Sequence, residues 1–381
     1  MIINKSSALV ISLLCIAIIT SISYISIKQS EAALFLEDLA AGNEKSRLKS
    51  QTPKPIQVPI DYEIQGYQYQ ADLYISQEPP LASIVLIPGV AEQGKDDSRL
   101  VAFATTLARS RFMVLVPDIP NLRDLKVRAE DSRTIIDAYT YLISRPEFPA
   151  QGQAGMGAFS YAVGPAVLAA LDPQIRERVN FILSVGGYHD IEQVITFFTT
   201  GYFQNDNGWQ YLEPNEYGKW VFVLSNVERL SNPLDKEIFF KIAQRKINNP
   251  NTSIEDLIIN LTVEANSILA LLQNQNHNHA PSLIADIPNI IHGDLDALNL
   301  SNKDLTKLKA KLILLHGTDD DIIPYTESIA LARAVAEGQS EVFLIDGLAH
   351  VDVQPKILNR WKMLRAIDAL LEMRDVKLEK S

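Results

Sequence analysis

Ala154-Gly155-Met156-Gly157-Ala158-Phe159-Ser160-Tyr161-Ala162-Val163-Gly164-Pro165-Ala166-Val167-Leu168-Ala169-Ala170 is the stretch that decides the fold. Up to Phe159 it reads as a short buried strand, and from Tyr161 onward, small and apolar, as a helix. Ser160 stands at the break. A serine at a sharp strand-to-helix turn has an exposed hydroxyl above the positive end of a helix dipole. That position suits acyl transfer, in which negative charge develops beside the attacked carbon. Ala158 and Ala162 occupy the two positions where such a turn usually carries glycine, and a methyl is the smallest addition that this crowding can take.

Outward from this stretch, strands and helices alternate. Ile56–Ile64 and Tyr67–Ser76 read as two antiparallel strands. Ser83–Gly89, Met113–Asp118, Val179–Gly187, Lys311–Gly317 and Glu341–Gly347 read as short apolar strands. Between them, Asp97–Arg111, Ala129–Leu142, Tyr325–Ala336 and Val351–Arg374 carry helical patterns. Short buried strands alternating with helices predict a mostly parallel sheet with helices on both faces. Ligands in such sheets bind at the carboxyl ends of the strands. Ser160, Asp320 and His350 all follow such ends and so fall on one edge.

The alternation breaks between residues 190 and 305, a stretch rich in aromatics with helical runs near 234–248, 253–273 and 302–309. It reads as a helical cap inserted into the sheet domain; the alternative is extra helices packed beside the sheet. The chain therefore divides into an N-terminal anchor at 1–28, a linker at 29–55 with a short helix at 31–40, core at 56–189, cap at 190–305 and core again at 306–381.

Residues 6–27 carry no charge and are almost all apolar or small, enough to span a bilayer as a helix. They read as a signal anchor that leaves the rest of the chain tethered outside the cytoplasm (on the periplasmic side in a bacterium). The alternative is a long cleaved signal peptide and a secreted protein. Leu14 before the single cysteine, Cys15, is too bulky for a lipoprotein site, and one cysteine says nothing of redox compartment. A net charge of −11 without a basic stripe argues against nucleic acid as a partner. No cofactor or metal pattern stands out: Gly94-Lys95 lacks the spacing of a phosphate loop, and His277 and His279 lie in an Asn-rich loop without further ligands.

Three segments follow in the order Ser, Asp, His: the Ser160 turn, His316-Gly317-Thr318-Asp319-Asp320-Asp321-Ile322-Ile323-Pro324, and Gly347-Leu348-Ala349-His350. A serine hydroxyl needs a base to take its proton, and the base needs an acid to fix its tautomer. With these segments the chain resembles the α/β-hydrolases of the esterase, lipase and dienelactone-hydrolase type, over roughly residues 56–190 and 305–375. The resemblance implies Ser160 as nucleophile, Asp320 as acid and His350 as base. Asp319, Asp321 and Asp190 are the competing acids, and His316 orders its own loop. It also implies an oxyanion site built from the backbone N–H groups of Tyr161 and Val90, with Ala91 second, because Pro88-Gly89-Val90-Ala91 is similar to the family's His-Gly-x-x segment.

The function these readings imply is hydrolysis of a carboxylic ester, thioester or lactone. The substrate is a small acyl ester, with an apolar acyl chain suggested by the aromatic insert. A binding or scaffold protein of the same fold and an acyltransferase with the same triad are the alternatives.

Overall fold

The computed structural model describes residues 30–149, 152–348 and 357–375. Two helices, α1 (Glu31–Ala41) and α2 (Arg47–Gln51), precede a hairpin of β1 (Ile56–Ile64) and β2 (Tyr67–Ile75). There follow β3 (Ala82–Ile87), α3 (Ser98–Arg109), β4 (Phe112–Pro117), the short α4 (Pro120–Arg123) and α5 (Asp131–Ser144). Next come β5 (Gln153–Phe159), α6 (Val163–Leu171) and β6 (Phe181–Val185). The inserted region holds α7 (Ile191–Thr200), β7 (Tyr202–Asn205), β8 (Gly208–Tyr211) and α8 (Tyr217–Asn226). It continues through α9 (Pro233–Asn248), α10 (Val263–Leu272), α11 (Ala280–Ala285) and α12 (Asn289–Leu298). The sheet then resumes with β9 (Lys311–Gly317), α13 (Thr326–Ala334), β10 (Ser340–Ile345) and α14 (Ile357–Arg374).

Eight strands form one sheet in the order β1-β2-β4-β3-β5-β6-β9-β10. β2 pairs antiparallel with β1 and with β4, and every other pairing is parallel. The β1–β2 turn is Gln65-Gly66, both at positive φ, as the twist of a two-residue hairpin demands. Along the central strands the side chains divide with period two. Val85, Ile87, Met113, Leu115, Met156 and Ala158 join the core that includes α5 and α6. Ile84, Leu86, Val114, Phe181 and Leu183 join a second core with α1, α3 and α14. Glycine is required in β5 because a Cβ at Gly155 would lie 2.5 Å from the Phe181 ring, and one at Gly157 2.8 Å from Leu86.

Two stretches differ from the sequence reading. Residues 30–51 are not a linker. Ala32 and Phe35 are fully buried in the second core, and Phe35 meets Phe103 edge to face at 5.8 Å. The buried Asp38 carboxylate accepts from Thr106 on α3 at 2.8 Å and pairs with Lys49 at 3.1 Å. The short helix expected at 31–40 is present as α1, and its apolar residues cover the second core. The inserted region also contains an antiparallel β7–β8 hairpin, and its helix near 253–273 is confined to α10, which starts where the Thr262 side chain caps Ala265.

Residues 1–29, and with them the apolar run at 6–27, lie outside the described residues. Among the described residues no helix is long and apolar enough to cross a membrane.

Candidate active site

β5, β6 and β9 are adjacent parallel strands, so their carboxyl ends share one edge. At the end of β5, Phe159 is extended and Ser160 turns into the left-handed region at φ +54°. The chain then enters α6 through Tyr161-Ala162. Serine pays a conformational cost there that glycine would not, and such strain clusters at functional sites. Ala158 and Ala162 are fully buried, so methyl groups fit on both sides of the turn. Four residues on, Gly164 is obligatory: a Cβ would lie 2.0 Å from the Tyr188 hydroxyl.

The loop after β3 runs beside this turn, with the Gly89 Cβ position 3.7 Å from Phe159 Cβ. Val90 and Tyr161 are buried, at 8% and 5% exposure. The N–H of neither is engaged by a hydrogen bond among the described residues. Buried backbone donors are almost always paired, so two unengaged ones beside a strained serine are the donors an oxyanion would use. The Ala91 N–H is likewise unengaged, on a more exposed residue.

Beyond β9, the buried Asp320 carboxylate accepts from the N–H groups of Ile322 at 2.9 Å and Ile323 at 3.0 Å through Oδ1. Its Oδ2 lies 3.3 Å from the Cβ position of Gly186, just past the end of β6, and 3.4 Å from His316 Nε2. His316 is fully buried. Its Nε2 lies 2.9 Å from the Ile323 carbonyl, which can only accept, so Nε2 carries a proton. In the neutral ring Nδ1 then accepts from the Ser328 hydroxyl at 2.7 Å. His316 thus fastens the acid loop to α13. Asp319 accepts from the Gly347 N–H at 3.1 Å, and a Cβ at Gly317 would lie 2.9 Å from the Leu348 carbonyl. The acid loop is therefore packed against the segment that leads to His350, while His350 itself lies outside the described residues. Asp321 contributes its carbonyl to the Asn215 N–H at 2.7 Å. Asp190 caps α7 through Glu192 at 2.9 Å.

The inserted region roofs this edge through three residues whose role no spacing in the sequence announces. The Asn215 N–H binds the acid loop at Asp321. The Tyr217 hydroxyl donates to the Val90 carbonyl at 3.0 Å. The Gly218 Cβ position is 3.0 Å from the Tyr161 hydroxyl. The Asn215 side chain accepts from the Tyr217 N–H at 3.0 Å and holds the turn. Burial, then Asp320, Tyr217 and Tyr188, push the Tyr161 phenol well above its ordinary range.

A buried carboxylate missed by the sequence reading stands at the root of the insertion. Glu327 accepts from the backbone N–H groups of His189 at 3.0 Å and Asp190 at 2.7 Å. Burial raises its pKa to about 7, and burial also lowers that of His189. His277 meets the Trp209 ring at 4.2 Å and the Tyr202 ring at 4.6 Å, both tilted, and packs the β7–β8 hairpin. Among the described residues no group of three or more His, Cys, Asp or Glu side chains could hold a metal ion.

No family model matches the chain, and no curated protein matches it in sequence. Solved structures match it in shape. A Legionella pneumophila protein provisionally assigned as a hydrolase superposes with a TM-score of 0.54 at 13% identity, over 92% of this chain and 96% of that one. Est1E from Butyrivibrio proteoclasticus aligns over 83% and 98% at 12% identity with a TM-score of 0.45. A dienelactone hydrolase from Anabaena variabilis aligns over 83% and 97% at 13% identity with a TM-score of 0.43.

Proposed function

We propose that this chain, which has the α/β-hydrolase fold, is a serine hydrolase cleaving carboxylic esters, thioesters or lactones through Ser160, His350 and Asp320. Ser160 Oγ attacks the carbonyl carbon while His350 takes its proton. The oxyanion is held by the Val90 and Tyr161 N–H groups. His350 returns the proton to the leaving alcohol or thiol, and water then releases the acyl group by the reverse sequence. Asp320 orients His350 and stabilises its charged form.

The observation that carries this reading is the left-handed serine at the end of β5 beside two buried, unengaged N–H donors. A purely binding role leaves the backbone cost at Ser160, about 1–3 kcal/mol, without a use. The placement of Asp320 beyond the end of β9, two strands from β5, supports the acid, as does its distance of three residues from Gly317, which abuts Leu348. Asp319 is occupied with Gly347, and Asp190 with a helix cap.

A fluorophosphonate probe tests the reading. The folded protein is expected to be labelled and Ser160→Ala to be blank; an unlabelled wild type, or a labelled alanine variant, overturns it. The uncharged run at 6–27 supports tethering of the domain outside the cytoplasm. Membrane fractions washed with alkaline carbonate should retain the protein, and a fully soluble protein would sink that part.

A further inference from the structure

Under the cap lies a cavity of about 40 Å³. Its walls come from the elbow (Tyr161), the loop after β6 (Tyr188) and helices α7, α8 and α12 (Phe198, Gly218, Val221, Leu298). These walls are almost wholly apolar. At roughly 10–15 Å³ for one water, the space holds about three or four heavy atoms. It has room for the carbons of a short acyl chain and none for a fatty one.

One polar atom in this lining is anomalous. Tyr188 donates its hydroxyl to the Leu298 carbonyl at 3.1 Å. The Tyr161 hydroxyl, on a residue 5% exposed, has no hydrogen-bond partner among the described residues. A buried, unsatisfied hydroxyl calls for an explanation, and a ligand group is one of the few available. Its place narrows the ligand. Tyr161 directly follows Ser160, and its own N–H is one of the two oxyanion donors. A substituent on the acyl carbon that entered the cavity would run alongside the tyrosine ring. Gly218 leaves the hydroxyl uncovered: a Cβ there would sit 3.0 Å from it and 3.2 Å from Phe198 Cβ.

We infer that this cavity is the acyl subsite and that it takes a short acyl group bearing its own oxygen, a hydroxyacyl or oxoacyl ester or the corresponding lactone, with Tyr161 Oη as the hydrogen-bond partner of that oxygen. The inference rests on Ser160 being the nucleophile. It replaces the apolar acyl chain that the aromatic insert suggested with a short and partly polar one.

The test compares kcat/KM for the p-nitrophenyl esters of butyrate, 3-hydroxybutyrate and octanoate in wild type, Tyr161→Phe and Gly218→Val. Wild type is expected to favour 3-hydroxybutyrate over butyrate by at least about tenfold and to turn over octanoate worst, since a buried polar site discriminates strongly against a ligand that leaves it unpaired. Tyr161→Phe should lose the preference, its kcat/KM for 3-hydroxybutyrate falling at least about tenfold relative to that for butyrate. Gly218→Val should depress both four-carbon esters by filling the space. A wild type that prefers octanoate, or a phenylalanine variant that keeps the hydroxyacyl preference, overturns the inference and leaves the hydrolase reading intact. An equal loss on both four-carbon esters in Tyr161→Phe also overturns it, by giving the hydroxyl a structural role. Absence of any ester turnover together with an unlabelled Ser160 removes the hydrolase reading itself and the subsite with it.

Discussion

The Tyr217 hydroxyl donates to the Val90 carbonyl at 3.0 Å, joining the first turn of α8 to the loop after β3. The bond fixes the carbonyl of the residue whose N–H is the proposed oxyanion donor. Tyr217→Phe removes one hydrogen bond worth about 1 kcal/mol. If the bond positions the oxyanion donor, kcat for a short ester falls by roughly fivefold with KM little changed. An equal change in KM with constant kcat would mean that Tyr217 only lines the entrance.

Ser160 carries a cost that glycine does not. Ser160→Gly relieves the φ +54° backbone and is expected to stabilise the fold by about 1 kcal/mol while abolishing turnover. Urea unfolding of the two proteins reads the first effect and ester hydrolysis the second. A glycine variant less stable than wild type would show that the serine side chain, and not the turn, is what the site requires structurally.

Asp319 and Asp320 are consecutive residues with different hydrogen-bond partners. Asp320 is held by two backbone N–H groups, and Asp319 by one from Gly347. Asp320→Asn leaves much of that geometry but removes the carboxylate proposed to orient His350, so kcat should fall roughly 10³–10⁴-fold. Asp319→Asn keeps an acceptor for Gly347 and should cost less than about tenfold. The reverse order of losses would move the acid to Asp319.

What could be read from the sequence tracks how local each feature is. The Ser160 turn is a strand running directly into a small-residue helix, and both periods are visible within seventeen residues. The Asp320 segment is equally local, because the carboxylate binds N–H groups two and three residues ahead of it. The roof at Asn215–Gly218 is different: its partners are Asp321, Val90 and Tyr161, and no period connects them. Glu327 was hidden for the same reason, since its partners lie in another loop. The β7–β8 hairpin did carry a signal, Asn207-Gly208 between aromatic strands. The surrounding helical cap obscured it.

Glu327 makes stability depend on pH. Its pKa is raised from 4.5 to about 7 in the folded state, so the folded form binds a proton that the unfolded form releases. The stability it supplies is complete below about pH 4.5 and is lost as pH rises through about 7. Glu327→Gln keeps an acceptor for the His189 and Asp190 N–H groups and removes the titration. The variant should gain on wild type between pH 5 and pH 8 by a few kcal/mol in urea unfolding. Parallel stability curves across that range would show that Glu327 stays ionised in the fold.

Phe35 decides whether the segment before β1 is part of the folded unit. A side chain in a tether is exposed, and its truncation shifts stability by less than about 0.5 kcal/mol. Phe35 is instead fully buried against Phe103, on a helix whose Glu31 is gripped by Arg374 at the end of α14 at 2.9 Å. Phe35→Ala opens a void under the sheet that the neighbouring helices can fill only in part. The expected cost is about 3–5 kcal/mol in urea unfolding. A loss below about 0.5 kcal/mol would return residues 30–51 to the status of a linker lying on the surface.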